Sequence, residues 1–158
     1  MFEIRAAKAD DAPEACELIR RSIRELCRED HENDPIALEG WLANKTEKNV
    51  RIWFTQLGHY SFAAEQDGKI VGVATLAGNG EVMLLYVLPE ARFQGVSKAL
   101  LDTMEEKAKQ LRLDHCSLTS TLTARQFYLD RGYELLLADD DEDDGLGLDA
   151  PVSMTKKL

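Results

Sequence analysis

The stretch "VMLLYVLPEARFQGVSKALL", residues 82–101, decides the fold. Its first seven residues form an unbroken apolar run of the length of a buried strand. Pro89 ends that run, a short segment carrying Arg92 follows, and Gly95 stands directly before an amphipathic helix. In that helix Val96, Leu100, Met104, Ala108 and Leu111 step by three and four residues and give one apolar face. A helix that begins at the end of a strand presents free backbone N–H groups and the positive end of its dipole. Such a junction suits a phosphate or diphosphate. Gly95 lets backbone approach a ligand with no Cβ between them, Ser97 adds a hydroxyl, and Arg92 and Lys98 add cations. The same residues would also serve as a plain strand-to-helix turn. The junction has one glycine where a Rossmann fingerprint needs three, and it lacks the Gly-Lys-Ser/Thr of a P-loop.

Upstream of the junction, "FEIRAA" (2–7) alternates as a strand. Asp11 can cap a helix with Pro13 in its first turn, whose apolar face is Ala15, Leu18, Ile19, Ser22, Ile23 and Leu26. "HENDP" (31–35) breaks it. Leu38, Trp41 and Leu42 mark a short second helix, and Thr46 caps a third that carries Val50, Trp53, Phe54 and Leu57. Residues 60–88 then hold three strand-like runs broken by Asp67-Gly68 and by Gly78-Asn79-Gly80, the signature of an antiparallel meander. After the 96–111 helix come a strand (113–119), a helix (123–132) closed by Gly132, a strand (133–138) and a final edge strand in "PVSMTKKL" (151–158). The strand–helix–strand unit from residue 82 makes its two strands parallel by a right-handed crossover. The expected fold is α/β: a mixed, mostly antiparallel central sheet with helices on both faces, in one domain spanning 1–158.

Composition narrows the function classes. A net charge of −10 argues against nucleic-acid binding through a broad basic face. No apolar run reaches a membrane span, and the N-terminus has neither the apolar core nor the cleavage site of a signal peptide, so the expected location is cytoplasmic with no membrane partner. Cys16 and Cys27 are too far apart along one helix for a disulfide, Cys116 falls in an expected strand, and no Cys/His spacing suggests a metal. The acidic run Asp139–Asp144 lacks the twelfth-position glutamate and flanking helices of a calcium loop, and reads as a solvated surface loop.

Two blocks resemble those of the GNAT N-acetyltransferases. "YVLPEARFQGVSKALLDTMEEKA" (86–108) is similar to their acetyl-CoA loop, Arg/Gln-x-x-Gly-x-Gly/Ala, with Ser97 in place of Gly or Ala and Phe93 where Gly is frequent. "TARQFYLDRGYE" (123–134) resembles their Ala…Phe-Tyr…Gly-Phe helix, with Tyr133 for Phe and Thr121 where asparagine often precedes the block. The resemblance implies the GNAT fold and an acetyl-CoA-dependent N-acetyltransferase without metal. It would acetylate a primary amine of a small molecule or peptide by direct transfer in a ternary complex. It also implies that Tyr86, Val87 and Leu88 pair with the pantetheine arm, while Arg92, Phe93, Gln94, Gly95, Val96, Ser97 and Lys98 hold the diphosphate. Tyr128 stands at the general-acid position. Glu81, fourteen residues before Gly95, matches the glutamate used as base in the histone-acetyltransferase branch, and ordered water is the alternative. A base is needed because an amine of pKa near ~10.4 is neutral only on the order of one part in a thousand at pH 7. His31 and His59 are weaker candidates, and His115 reads as a strand or turn residue. The acceptor side would involve Glu25, Cys27, His31 and Trp41, with Trp53 and Phe54 nearby. A homodimer is left open. Two other readings remain: a non-catalytic acyl-CoA sensor or partner-binding module on the same fold, and an unrelated α/β protein.

Overall fold

In a computed structural model, which describes residues 1–136 and 152–158, the elements follow the expected order. β1 (Glu3–Ala6) is followed by four helices: α1 (Ala12–Leu26), α2 (Arg28–His31), α3 (Pro35–Leu42) and α4 (Glu47–Thr55). The meander is β2 (His59–Gln66), β3 (Lys69–Ala77) and β4 (Val82–Val87), and after it come α5 (Val96–Gln110), β5 (His115–Ser120), α6 (Arg125–Asp130), β6 (Glu134–Leu135) and β7 (Val152–Lys157). The acidic run and the end of the expected 133–138 strand lie outside the described residues. Local chemistry sets the boundaries. Thr46 Oγ1 accepts from Asn49 N at 3.1 Å to start α4, and Asp34 Oδ1 accepts from Ile36 N at 3.0 Å to start α3.

The sheet is divided. β1–β2–β3–β4 form one antiparallel half, and β5, β7 and β6 form the other in that order. The expected parallel pairing of β4 with β5 is reduced to one bridge, Glu81 to Ser117, supported by the Ser117 N–H donating to Gly80 O at 3.0 Å. Beyond that bridge the strands diverge and leave a wedge between the two halves. The last strand, expected at an edge, is central: β7 pairs with β5 on one side and β6 on the other. A second departure is a β-bulge in β4. Thr75 pairs with Leu84 but Leu76 pairs with Val82, so Met83 is an extra residue, and the strand kinks where the wedge opens.

Helices α1 and α5 both pack on β3 and β4 from opposite faces, and α4 covers β2. The inward residues of α5, Val96, Leu100, Met104 and Ala108, are all buried. Gly72 on β3 makes that contact close. A Cβ there would stand 2.7 Å from Val96 Cγ1 and 2.9 Å from Leu100 Cδ1. The missing side chain seats the first turn of α5 against the sheet and fixes where its N-terminus points.

Candidate active site

The wedge is a cleft of about 340 Å³ between β4 and the end of β5. Its walls are β4 from Val82 to Val87, the 91–98 junction, Leu118 and Thr119, the α6 residues Phe127 and Tyr128, and the α1 end at Ser22, Leu26 and Cys27.

Among the described residues, β4 presents an unpaired strand edge to this space. Leu88 N–H donates to Val71 O at 2.9 Å, which turns the backbone of Leu88 toward β3. Backbone groups alternate sides along a strand, so those of Tyr86 and Leu84 also face β3, and those of Val87 and Leu85 face the cleft. The residues expected from the sequence were Tyr86, Val87 and Leu88; of these Val87 has its backbone turned to the cleft, together with Leu85, which the sequence did not single out. The alternation became readable once the β3 partner was known. Leu88 itself is 3% exposed and does not line the cleft.

At the junction, Gly95 has φ 82°, the left-handed region that glycine enters without penalty. A Cβ built on Gly95 would meet nothing within 4 Å, so open space lies in front of this backbone. The first helical bond runs from Ala99 N–H to Gly95 O at 3.0 Å, leaving the amides of Val96, Ser97 and Lys98 ahead of the ladder. These residues line the cleft together with Arg92 and Phe93, whereas Gln94 turns away and donates from Nε2 to Glu90 O at 3.3 Å. The helix start, the open space and the two cations Arg92 and Lys98 fit the diphosphate expected there.

Tyr128 is 7% exposed and lines the cleft from α6. Its ring is held between Phe127, centroids 5.2 Å apart, and Tyr133 at 5.6 Å. Tyr133 in turn donates from its hydroxyl to buried Glu105 at 3.0 Å, and Lys156 Nζ donates to the other oxygen of Glu105 at 2.8 Å. Burial pushes the Tyr128 phenol above its ordinary pKa, and nearby Tyr86 adds to the shift. Tyr86 is raised to about 12, chiefly by burial with a contribution from Cys27, and hydrogen bonding with Trp41 partly offsets this. Both phenols therefore stay protonated across neutral pH.

The start of α6 is fixed by a residue with no local sequence signal. Asp30 on α2 accepts from Leu122 N at 2.5 Å, from Thr123 N at 3.1 Å and from Thr123 Oγ1 at 2.6 Å. Thr121 Oγ1, standing where asparagine was expected, accepts from Ala124 N at 3.2 Å. These bonds tie the helix bearing Tyr128 to α2.

Other candidates are dispersed. Glu81 sits at the closed apex, with its side chain exposed and outside the cleft lining; its N–H is bonded to Asn79 Oδ1 at 3.0 Å. His31 is buried and locked, since Asn33 N–H donates to Nδ1 at 3.0 Å and Nε2 therefore carries the proton given to Ile23 O at 2.9 Å. His59 lines a groove on the other side of β2, and His115 is exposed beside Asp114. Glu25 pairs with Arg21 at 3.1 Å, Trp41 packs edge-on to His31 at 6.3 Å, and Trp53 and Phe54 pack with the core. Of the acceptor-side set, Cys27 lines the cleft. Burial raises its thiol to about 12, with Asp30 adding and Arg92 opposing, so it remains a thiol rather than a nucleophilic thiolate.

Comparison with known proteins agrees with this architecture. Residues 28–158 match the family model described as an acetyltransferase (GNAT) domain. A PaiA N-acetyltransferase from Thermoplasma acidophilum in complex with coenzyme A superposes at a TM-score of 0.80 and 19% identity, over 100% of this chain and 99% of that one. A GCN5-related N-acetyltransferase from Rhodopseudomonas palustris, also described as an aminotransferase of class II, gives 0.84 at 25%, over 99% and 95%. The ribosomal-protein-S18-alanine N-acetyltransferase of Escherichia coli gives 0.67 at 16%, over 100% and 94%. No curated protein matches.

Proposed function

The chain belongs to the GNAT acetyltransferase family, and from that premise we propose that it transfers an acetyl group from acetyl-CoA directly to a primary amine in a ternary complex. The acceptor class is a small molecule or a peptide. The observation that carries this reading is the cleft itself: an unpaired β4 edge, a glycine cradle at a helix start and a buried tyrosine all face one space.

Acetyl-CoA supplies an acetyl group already activated as a thioester. The outward backbone groups of Leu85 and Val87 would hold its pantetheine amides as an added strand. The amides of Val96, Ser97 and Lys98, with the Arg92 and Lys98 side chains, would hold the diphosphate. Tyr128 keeps its proton through neutral pH and donates it to the sulfur as the carbon–sulfur bond breaks. The attacking amine must arrive neutral and lose a second proton after attack. Glu81 lies outside the cleft lining, so it would take that proton by way of water rather than by contact.

Tyr128→Phe tests the assignment. The substitution keeps the ring and its two aromatic contacts and removes the donor alone. Acetyl transfer, followed as thiol release across an amine panel, should fall by roughly 10²–10⁴-fold, with acetyl-CoA affinity unchanged. Glu81→Gln should act less, lowering turnover by a smaller factor with acetyl-CoA affinity unchanged. Equal turnover in Tyr128→Phe and the parent would overturn the acid role. Binding of acetyl-CoA with no turnover on any amine would favour the sensor reading.

A further inference from the structure

Phe93 lies in the junction loop that lines the cleft, and its ring is not packed in the core. Phe93 has φ 64°, a left-handed conformation that costs a residue with a Cβ. Its side chain is also 93% exposed, so no core packing offsets that cost. The ring still has an ordered surrounding: the Arg92 guanidinium carbon lies 4.7 Å from its centroid. It stands at the cleft mouth beside Gly95, Ser97 and Lys98, at the cradle rather than on an unrelated surface.

We propose that the Phe93 ring is a stacking platform for the nucleobase of the nucleotide cosubstrate, with Arg92 bracing it. This rests on the acetyl-CoA reading above and deepens it. The chemistry selects the ligand part. A flat, apolar, solvent-facing ring offers little to a pantetheine chain and nothing to a phosphate, whereas a purine presents a π-face of matching size. Stacking of a base on an aromatic side chain is a substantial interaction that tolerates base identity. The left-handed backbone turns a bulky side chain outward at a position where glycine would relieve the strain. Phe93 is therefore a specificity-determining residue for the nucleotide-bearing form of the acetyl donor.

The test compares two donors on the same protein: acetyl-CoA and S-acetyl-4′-phosphopantetheine, which lacks the nucleotide. Phe93→Gly should lower the affinity for acetyl-CoA about tenfold or more, equivalent to about 1.4 kcal/mol per factor of ten. It should leave the affinity for the phosphopantetheine thioester unchanged, and should raise the melting temperature of the ligand-free protein by relieving the strained backbone. Phe93→Trp should retain acetyl-CoA affinity, and its added emission should be quenched by acetyl-CoA but not by the truncated donor. Equal losses for both donors would assign Phe93 to loop conformation and overturn the proposal, as would unchanged affinity for both. A parent protein that binds neither donor would remove the cofactor assignment and the proposal with it, and would be recognised before any substitution is made.

Discussion

Replacing Gly95 by alanine separates two roles that one glycine plays. At φ 82° an alanine enters the left-handed region, at a cost of roughly 1–2 kcal/mol. For a chain of 158 residues that lowers the melting temperature by about 2–8 °C. The added methyl has no steric cost in the free protein, because nothing lies within 4 Å of its position. It would instead fill space that the cradle offers to the diphosphate. Gly68 supplies the control. It has φ 77° in the β2–β3 turn, also with nothing within 4 Å, and it does not line the cleft. Both variants should lose similar stability in thermal unfolding without ligand. In an acetyl-CoA titration, Gly95→Ala should lose at least about tenfold in affinity, near 1.4 kcal/mol, and Gly68→Ala should match the parent. If both bind acetyl-CoA as the parent does, the cradle argument is wrong, and Gly95 is there for the turn alone.

Two further outcomes follow from the surroundings of the site. Asp30→Ala strips partners from two backbone amides and a hydroxyl at the entry to α6. It should cost about 1–3 kcal/mol in urea unfolding and lower turnover by loosening the Tyr128 helix, while acetyl-CoA affinity holds; unchanged stability would contradict the clamp. The second concerns alkaline pH. The Cys27 thiol is raised from 9.0 to about 12 and the Tyr86 phenol from 10.0 to about 12 in the folded protein. Their protonated forms are retained on folding, so this stability is complete below pH 9 and is lost as pH rises toward 12. Unfolding free energy should fall by up to about 1.4 kcal/mol per pH unit for each such group, starting near pH 9, with a smaller slope in Cys27→Ser. A flat profile from pH 8 to 10 would contradict it.

The parts of the fold legible in the sequence were those governed by local chemistry. Asp67-Gly68 marked the β2–β3 hairpin, Pro89 and Gly95 bracketed the strand-to-helix junction, and the spacing from Val96 to Ala108 marked the buried face of α5. What stayed hidden depends on partners distant in the chain. Whether β4 and β5 pair along their length or at one bridge is a property of two strands separated by a helix, and the pattern of each is the same either way. The bulge at Met83 appears as a mismatch with β3, not as an irregularity in "VMLLYV". Asp30 carries no local signal, because its partners are 92 and 93 residues away. His31 suggested chemistry by residue type, but its two nitrogens are spent on neighbouring backbone groups. Glu81 matched a spacing, and the structure puts it at the apex rather than on the cleft wall.

Hydrogen exchange with and without acetyl-CoA is the measurement that bears most directly on the location of the donor. Amides that gain partners are protected, and the two halves of the site make separate contributions. Slowed exchange is expected at Leu85 and Val87 on the outward edge of β4 and at Val96, Ser97 and Lys98 at the start of α5, with Tyr86 and Leu88 little changed because they already face β3. Protection confined to the groove between β2 and the outer face of α5, around His59, Tyr60 and Glu106, or no protection at saturating acetyl-CoA, would contradict it.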